Sequence, residues 1–183
     1  MASQTVASKP SIRFATEKDV STILALIHEL AAYEKATSSV LATERTLVDT
    51  LSFPSNPSKG YAKTLLIFAP AVTASPAAAE APTEEECAGM ALYFTNYSTW
   101  RAAPGMYLED LFIRPEYRGR GYGTLLLKEL AKETKRIGGE RLEWSVLKWN
   151  DPSIKFYESV GAKRMEEWVG MRVDDDALTK MAK

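Results

Sequence analysis

The segment at residues 114–124, RPEYRGRGYGT, has the clearest chemical potential in the sequence. It combines two permanent charges with three alternate glycines: Arg118, Arg120, Gly119, Gly121 and Gly123. Glycines carry no Cβ, so a ligand can come close to the main-chain N–H groups. The segment lies between an apolar, strand-like run and a helical pattern, and a helix N-terminus offers free N–H groups and a partial positive charge. The pattern therefore predicts a binding site for an anion such as a phosphate.

Basic charge is concentrated around this segment. The chain carries a net charge of −1, yet residues 114–141 hold eight Lys and Arg against four Glu, which leaves fifteen basic and twenty acidic residues elsewhere. A tight turn beside a solvated helix face is the alternative interpretation. That interpretation would explain a single G-x-G sequence better than it explains three alternate glycines with two arginines.

Two common phosphate-binding motifs do not fit this segment. A P-loop requires lysine before the final Ser or Thr, and Thr124 follows a glycine. A dinucleotide-binding fingerprint requires glycine where Thr124 stands, although Glu143 lies at the spacing of its ribose-binding acid. The segment also comes late in the chain, not in the first β-α unit.

A second motif follows one predicted strand later, at residues 149–162 (WNDPSIKFYESVGA). It contains an N-x-x-small-apolar-x-aromatic-Tyr pattern and a glycine at the helix end, namely Asn150, Ser153, Ile154, Phe156, Tyr157 and Gly161. Together with R-x-x-G-x-G at residues 118–123, this pattern resembles the GCN5-related N-acetyltransferase (GNAT) superfamily.

Within that superfamily the chain resembles the spermidine/spermine N-acetyltransferase family, from about Ile12 to Met181. The similarity is carried by ELAAYEK, YFTNYSTW, YLEDLFI and WNDPSIKFY. The sequence departs from the pattern at residues 70–86 and after Ala162. Polyamine acetylators usually carry an aspartate near Ser98, so NYSTW is more similar to the relatives that acetylate thialysine and related short amines.

The resemblance implies an acetyl-CoA-dependent enzyme that transfers acetyl to a primary amine by direct attack in a ternary complex. It assigns the role of general acid to Tyr157. The implied cofactor-binding residues are Leu111, Phe112, Ile113, Arg118, Gly119, Arg120, Gly121, Tyr122, Gly123, Thr124, Asn150, Asp151, Pro152 and Ser153.

Glu109 and Asp110 are adjacent carboxylates in an otherwise apolar strand. Neighbouring strand residues face opposite sides, so one of the two would be directed inward, where a carboxylate needs a partner. They could instead be solubilising charges on an edge strand, whereas a β-bulge would bring both toward one cleft. The resemblance implies that Glu109 is the general base, acting through a water, and that Asp110 binds the amine.

The resemblance also implies a small cationic amine as substrate and a homodimer to which residues 166–183 contribute. The remaining substrate-binding residues it implies are Tyr33, Glu34, Trp100, Trp144, Glu167 and Trp168. Glu166 competes with Glu167, and Trp144 could equally be a core residue. We expect His28 and Cys87 to be structural.

The elements that must position these residues form an α+β fold: a mixed, mostly antiparallel sheet with helices on both faces. We predict a tail at residues 1–10, one GNAT domain at 11–183 and a disordered surface loop at 70–87. Strands are predicted at 11–15, 64–68, 89–97, 106–113 and 141–147, with a last strand or hairpin at 162–173. Helices are predicted from Thr16 to Tyr33, from Thr43 to Leu51, over 121–137 with a stop at Gly138 and Gly139, and from Pro152.

Composition sets the remaining expectations. With 45% hydrophobic and 26% charged residues the chain can bury a core, and its near-neutral charge predicts no nucleic-acid partner. One cysteine and one histidine exclude an internal disulfide and a structural zinc site. The longest apolar runs are too short to span a membrane. We therefore expect a metal-free cytoplasmic enzyme. A protein-lysine acetyltransferase and a non-catalytic acyl-CoA sensor are the alternatives.

Overall fold

The computed structural model describes residues 9–71 and 85–183. The chain divides into two compact units, one ending at Ser145 and the other comprising Val146–Lys183. Most of the predicted N-terminal tail, and residues 72–84 of the predicted surface loop, lie outside the described residues. The prediction of one domain over residues 11–183 stays a prediction.

The first unit contains a five-stranded sheet with the strand order β1-β2-β3-β4-β5. Its strands are β1 (Ser11–Phe14), β2 (Lys63–Pro70), β3 (Glu85–Ser98), β4 (Ala103–Ile113) and β5 (Leu142–Trp144). The first four pair antiparallel, and β5 pairs parallel with β4. The prediction of a mixed, mostly antiparallel sheet is therefore confirmed.

Helices cover both faces of this sheet. On one face α1 (Val20–Tyr33) and α2 (Glu44–Thr50) close a core with sheet residues such as Leu66, Met90 and Phe112. On the other face lies α3 (Tyr122–Arg136), where Glu133 meets Lys63. Within the described residues, no helix has the length and apolar character needed to cross a bilayer.

Two β-bulges interrupt the ladders. Ile67 pairs with Gly89 and Phe68 with Cys87, which makes Ala88 an extra residue in β3. Leu92 pairs with Asp110 and Tyr93 with Leu108, which makes Glu109 an extra residue in β4. An extra residue resets the alternation of side chains between the two faces, so each bulge changes which residues point to which side.

The strand boundaries correct three sequence predictions. Pro70 belongs to β2 and Glu85, Glu86 and Cys87 to β3, so the predicted loop is shorter than residues 70–87 at both ends. The connection between the strands predicted at 89–97 and 106–113 is also shorter than expected, because β3 and β4 continue to the pair Ser98 and Ala103. The strand predicted at residues 141–147 ends at Trp144, because its partner β4 changes register directly afterwards, at the Glu109 bulge.

The second unit contains α4 (Asp151–Ser159) and α5 (Asp175–Met181). The strand or hairpin predicted at residues 162–173 is wrong, since these residues form turns and irregular backbone that is almost entirely exposed. Apolar residues that alternate in this segment, such as Val169 and Met171, have no neighbouring strand within the described unit. The helix α5 was not predicted.

Cys87 closes the core on the α1 face. Its thiol is buried and donates a hydrogen bond to the Gly89 carbonyl oxygen over 3.5 Å. Burial raises the pKa of this thiol. The residue is a core side chain, as expected for a buried cysteine.

Candidate active site

The bulge in β4 places two carboxylates on the α1 face of the sheet. Counting from Leu108, side-chain alternation directs Glu109 to this face, and counting back from Phe112 it directs Asp110 to the same face. Glu34, the residue that follows α1, carries a third acidic side chain whose charge acts on Asp110. The bulge that the sequence raised as a possibility is therefore present, and side-chain alternation turns both strand carboxylates to one side. We call Glu34, Glu109 and Asp110 the carboxylate cluster.

The electrostatics of the carboxylate cluster favour a cation. Burial, together with the nearby charges of Glu109 and Glu34, raises the pKa of the Asp110 carboxyl to about 6. Burial also raises the pKa of the Glu34 carboxyl. Like charges in a partly buried site oppose ionisation, and an incoming cation relieves that cost. An alkylammonium group is such a cation.

Beyond the bulge, β4 has an edge that β5 does not pair with. The parallel ladder with β5 covers residues 106–108 alone, whereas residues 110–113 continue to pair with β3 on their other side. Main-chain groups on the β5 side of Leu111, Phe112 and Ile113 are therefore not used by any ladder among the described strands. An extended ligand arm can bind there as an additional strand would.

The glycine-rich segment has the backbone geometry expected of an anion-binding turn, and we use that name for residues 118–124. Gly119 and Gly121 have φ of 75° and 79°, in the left-handed region that favours glycine. A Cβ at either position would meet no heavy atom within 4 Å, so a ligand has room to approach. The first helical bond runs from the Leu125 N–H to the Gly121 carbonyl oxygen. The N–H groups of Tyr122, Gly123 and Thr124 therefore have no intrahelical acceptor.

The two arginines of the turn make different contacts. The Arg118 Nε donates to the Ile113 carbonyl oxygen over 2.9 Å, and its Cζ lies 4.9 Å from the centre of the Tyr33 ring. The Arg120 Nη2 donates to the Glu116 carbonyl oxygen over 3.2 Å, and its Cζ lies 5.3 Å from the Tyr117 ring centre. Arg118 thus reaches α1 and β4, whereas Arg120 stays beside its own turn.

The second unit holds the other motif. Asn150 is buried and caps α4, its side chain accepting a hydrogen bond from the Ser153 N–H over 3.4 Å. Asp151 and Pro152 are exposed in the first turn of that helix. Tyr157 is partly buried on α4, with its ring 5.2 Å from that of Phe156.

The acetyltransferase (GNAT) family model matches residues 47–162, which include the carboxylate pair of β4, the anion-binding turn and α4. The chain belongs to the GNAT family. It is accordingly an N-acetyltransferase of the GNAT fold, and the sequence-based expectations of family, fold class and enzyme class are confirmed at this level.

Two relatives and one solved structure illustrate the similarity. An L-ornithine N5-acetyltransferase of Arabidopsis thaliana is 34% identical, over 94% of this chain and 87% of the relative. A thialysine N-epsilon-acetyltransferase of Bos taurus is 33% identical, over 93% of this chain and 96% of the relative. An integron cassette protein of V. cholerae has a TM-score of 0.71 at 24% identity, covering 96% of this chain and 99% of that one, which supports the fold alone.

The aromatic residues expected at the amine site are spread along this GNAT chain. Trp144 pairs with Leu108 and so lies beside the Glu109 bulge. Trp100 is 90% exposed in the β3–β4 turn, beyond the pair Ser98 and Ala103. That pair is six ladder steps, or roughly 20 Å, from Asp110. Residues paired across two strands point to the same face, so the Trp144 side chain lies with Leu108 on the α3 face, opposite the carboxylate cluster. The first unit therefore places neither the Trp144 nor the Trp100 side chain beside the carboxylate cluster.

Glu167 and Trp168 lie in the irregular part of the second unit, and both are exposed. Glu166 is exposed as well. The choice between Glu166 and Glu167 as a substrate ligand stays open.

One ion pair was missed by the sequence interpretation. The Arg114 guanidinium donates from Nε and Nη2 to the Glu29 carboxylate over 2.8–3.1 Å, and from Nη1 to the Cys87 carbonyl oxygen over 3.0 Å. This contact ties α1 to the start of the segment that leads into the anion-binding turn. The signal was present in ELAAYEK, where Glu29 is four residues before Tyr33 and therefore on the same helix face.

Proposed function

We propose that the protein transfers the acetyl group of acetyl-CoA to the primary amine of a small cationic substrate, by direct attack in a ternary complex. The observation that carries this proposal is the bulge at Glu109. In one short stretch of β4 it gathers carboxylates suited to an ammonium group, leaves an unpaired strand edge for an extended arm, and leads into the anion-binding turn.

The residues present fit coenzyme A. Positive φ and open space at Gly119 and Gly121 leave the free N–H groups at the start of α3 accessible to a pyrophosphate. The free edge at residues 111–113 suits a pantetheine arm, and the residues of the second motif, at 150–153, complete the proposed contacts. When bound, acetyl-CoA supplies an acetyl group activated as a thioester.

The chain's own residues manage the protons of the reaction. Asp110 and Glu34 hold the substrate ammonium. Glu109 takes one proton from it through a water, which leaves a neutral amine to attack the acetyl carbonyl carbon. As the new C–N bond forms and the C–S bond breaks, Tyr157 would donate its phenolic proton to the departing sulfur. The nitrogen would then release its second proton, which restores the Tyr157 phenol by way of solvent and leaves the neutral amide. Main-chain N–H groups at residues 111–113 polarise the thioester carbonyl.

We propose a short amine of the ornithine, lysine or thialysine type as the preferred substrate, with diamines and polyamines next. The names of the two relatives point to side-chain amines of amino acids. Ser98 stands where polyamine acetylators usually have an aspartate, and it carries no charge to bind a distant second ammonium. Tyr33, directly before Glu34, would line this pocket, and Glu167 and Trp168 stay proposed substrate contacts. Trp100 and Trp144, which do not lie beside the carboxylate cluster, are left out of it.

A thiol-release assay with acetyl-CoA across one substrate panel tests the function. The panel contains ornithine, lysine, thialysine, putrescine, spermidine, spermine and a lysine peptide. We expect the highest kcat/KM for a short amine. Preference for the peptide would favour a protein-lysine acetyltransferase. No turnover on any amine, with acetyl-CoA still bound, would favour an acyl-CoA sensor.

Tyr157→Phe tests the general-acid role. We expect kcat to fall by about 10²-fold because the departing thiolate is no longer protonated. Phe156→Leu, beside it on α4, is the control for packing. A Tyr157→Phe turnover within about threefold of wild type would rule out the role.

We further propose that the enzyme is a homodimer. The second unit exposes large apolar side chains that a stable protein normally covers, including Met165, Trp168, Val169 and Met171, which are 66–91% exposed. A second copy of this chain would bury them. Sedimentation equilibrium should give a mass twice the chain mass of 20.3 kDa. The substitution Val169→Asp should shift the measured mass toward that of the monomer.

We propose the cytoplasm as the location. The chain's single cysteine cannot form an internal disulfide, so an oxidising compartment would bring it no such cross-link. Fractionation of the native cells with antibody detection tests this, and recovery with the secreted or membrane fraction would contradict it.

A further inference from the structure

We propose that Arg118 is a positioning residue that couples the amine site to the cofactor site, so that the amine binds more tightly once coenzyme A is bound. The inference rests on the function proposed above and adds a role for one side chain. Arg118 was expected to contact the cofactor, but its contacts lie within the protein.

Three elements meet at the Arg118 guanidinium. Its Nε donates to the carbonyl oxygen of Ile113, the last residue of β4, over 2.9 Å. Its Cζ lies 4.9 Å from the ring centre of Tyr33, the last residue of α1, and 5.6 Å from that of Phe112. Both ring distances are within the range of a cation–π contact.

The main-chain N–H of Arg118 also makes a hydrogen bond within the protein. It donates to the Pro115 carbonyl oxygen over 3.2 Å, as part of the short 3-10 turn Pro115–Tyr117. An N–H engaged in this way is not offered to a phosphate. The residue therefore stands at the entrance of the anion-binding turn with its side chain directed toward α1 and β4.

This geometry links the two sites through adjacent residues. Tyr33 is followed directly by Glu34 of the carboxylate cluster, and Arg118 is followed directly by Gly119 of the anion-binding turn. A phosphate that orders the turn fixes the guanidinium, and the guanidinium in turn fixes the Tyr33 ring and the start of the Glu34 segment. When one ligand has already ordered these residues, the second ligand loses less conformational entropy on binding. The two ligands therefore bind with positive coupling.

Arg120 provides a matched control. It is two residues away, carries the same charge and stacks on an aromatic ring in the same way. Its partners, Tyr117 and the Glu116 carbonyl, belong to the chain just before the turn, and neither lies on α1 or β4. Loss of Arg120 should therefore weaken cofactor binding without uncoupling the two sites.

The test measures binding by calorimetry. The best amine of the substrate panel is titrated into protein with and without saturating coenzyme A. For wild type we expect the amine Kd to be lower by about 5- to 20-fold when coenzyme A is present, and coenzyme A to bind more tightly by the same factor when the amine is present. We call the amine Kd without coenzyme A, divided by the amine Kd with coenzyme A, the coupling ratio. For Arg118→Met we expect this ratio to fall to about 1. For Arg120→Met we expect weaker coenzyme A binding with the wild-type ratio.

Two further variants make the result independent of folding defects in Arg118→Met. Arg118→Lys keeps the charge over Tyr33 but loses the directed Nε bond to Ile113, so we expect an intermediate ratio. Tyr33→Leu removes the stacking partner from the α1 side and should reproduce the loss of coupling.

A wild-type ratio near 1, or equal ratios in Arg118→Met and Arg120→Met, would overturn the coupling. A wild-type protein that binds coenzyme A but no amine would instead contradict the proposed function.

Discussion

The anion-binding turn and the carboxylate cluster lie close together in the first unit, yet they present opposite charges by different physical means. The turn uses main-chain N–H groups at the start of α3, made accessible by Gly119 and Gly121. The cluster uses side chains, two of them displaced to one face by a bulge. Backbone dipoles cannot titrate, so the turn keeps its character at every pH, whereas the cluster loses its charge as its carboxyls are protonated.

The comparison explains why different substitutions should disable the two sites. The turn depends on backbone conformation, so a single methyl group in the wrong place is damaging. The cluster depends on ionised oxygens, so an isosteric amide is damaging. Substitutions of each kind can therefore separate the two sites.

Glu109→Gln should lower kcat by about 10²-fold, with the greatest loss at low pH, where deprotonation of the ammonium is hardest. The measurement is the pH–rate profile of kcat with the best amine. Glu116→Gln, an exposed acid beside the anion-binding turn, is the control and should retain the wild-type profile. A Glu109→Gln profile that overlays the wild-type curve would remove Glu109 from the role of base.

Gly121→Ala should weaken coenzyme A binding by about tenfold, because a left-handed backbone costs an L residue about 1–2 kcal/mol and the added methyl group enters the ligand space. Gly138→Ala is a matched control. Its φ is 74° and its Cβ site is also open, but it lies at the other end of α3. Both variants should lose similar stability in urea unfolding, while only Gly121→Ala should weaken binding in calorimetry. Equal binding losses would mean that the turn acts through stability alone.

Asp110→Asn should stabilise the protein at neutral pH while weakening amine binding. The Asp110 carboxyl has a pKa of about 6 in the folded chain, against an ordinary aspartate pKa of 3.8, so the folded state binds more protons between those values. Stability therefore falls as pH rises through this window, and the cost persists above pH 6. Removing the charge should add about 2 kcal/mol at pH 7.5, a figure that allows for partial exposure.

Chemical denaturation at pH 4 and at pH 7.5 measures this effect. The increase in the free energy of unfolding of Asp110→Asn over wild type should nearly vanish at pH 4. Asp176→Asn, exposed on α5, is the control and should change neither value by more than about 0.5 kcal/mol. The amine KM of Asp110→Asn should rise about tenfold. A variant that is less stable than wild type at pH 7.5 would show that Asp110 has a stabilising partner in the fold.

Glu34→Gln should raise the amine KM by about threefold and leave kcat unchanged, because it removes one of three carboxylates and that side chain is partly exposed. Steady-state kinetics at two salt concentrations gives the result, and added salt should narrow the difference. Glu44→Gln, exposed at the start of α2, should have no effect. A fall in kcat would place Glu34 in the chemical step.

Much of the site could be predicted because its signals are local. The three glycines, the strand before them and the helix after them are consecutive in sequence, so the turn and the stop of α3 near Gly138 were both predictable. The adjacent acids Glu109 and Asp110 raised the possibility of a bulge on their own. Only the register with β3 could show that the bulge exists.

What failed depends on partners that are distant in sequence. The alternation at residues 162–173 indicated a strand, but a strand also needs a neighbour, and no sequence pattern provides one. β5 ends early because of a bulge in a different strand. The contact between Arg118 and Tyr33 joins residues that are far apart in the chain, and no spacing rule predicts it.

The burial of Cys87 has a consequence for the chemistry. A protein that uses a thioester, as we propose for acetyl-CoA, risks transferring the acyl group to its own sulfhydryl. Here the chain's one cysteine is 8% exposed, and burial raises the pKa of its thiol, so it stays protonated and is a poor nucleophile. The fold thereby removes the one residue that could form an S-acetyl adduct. The acetyl group should pass to the amine, and the enzyme's intact mass should stay unchanged through turnover.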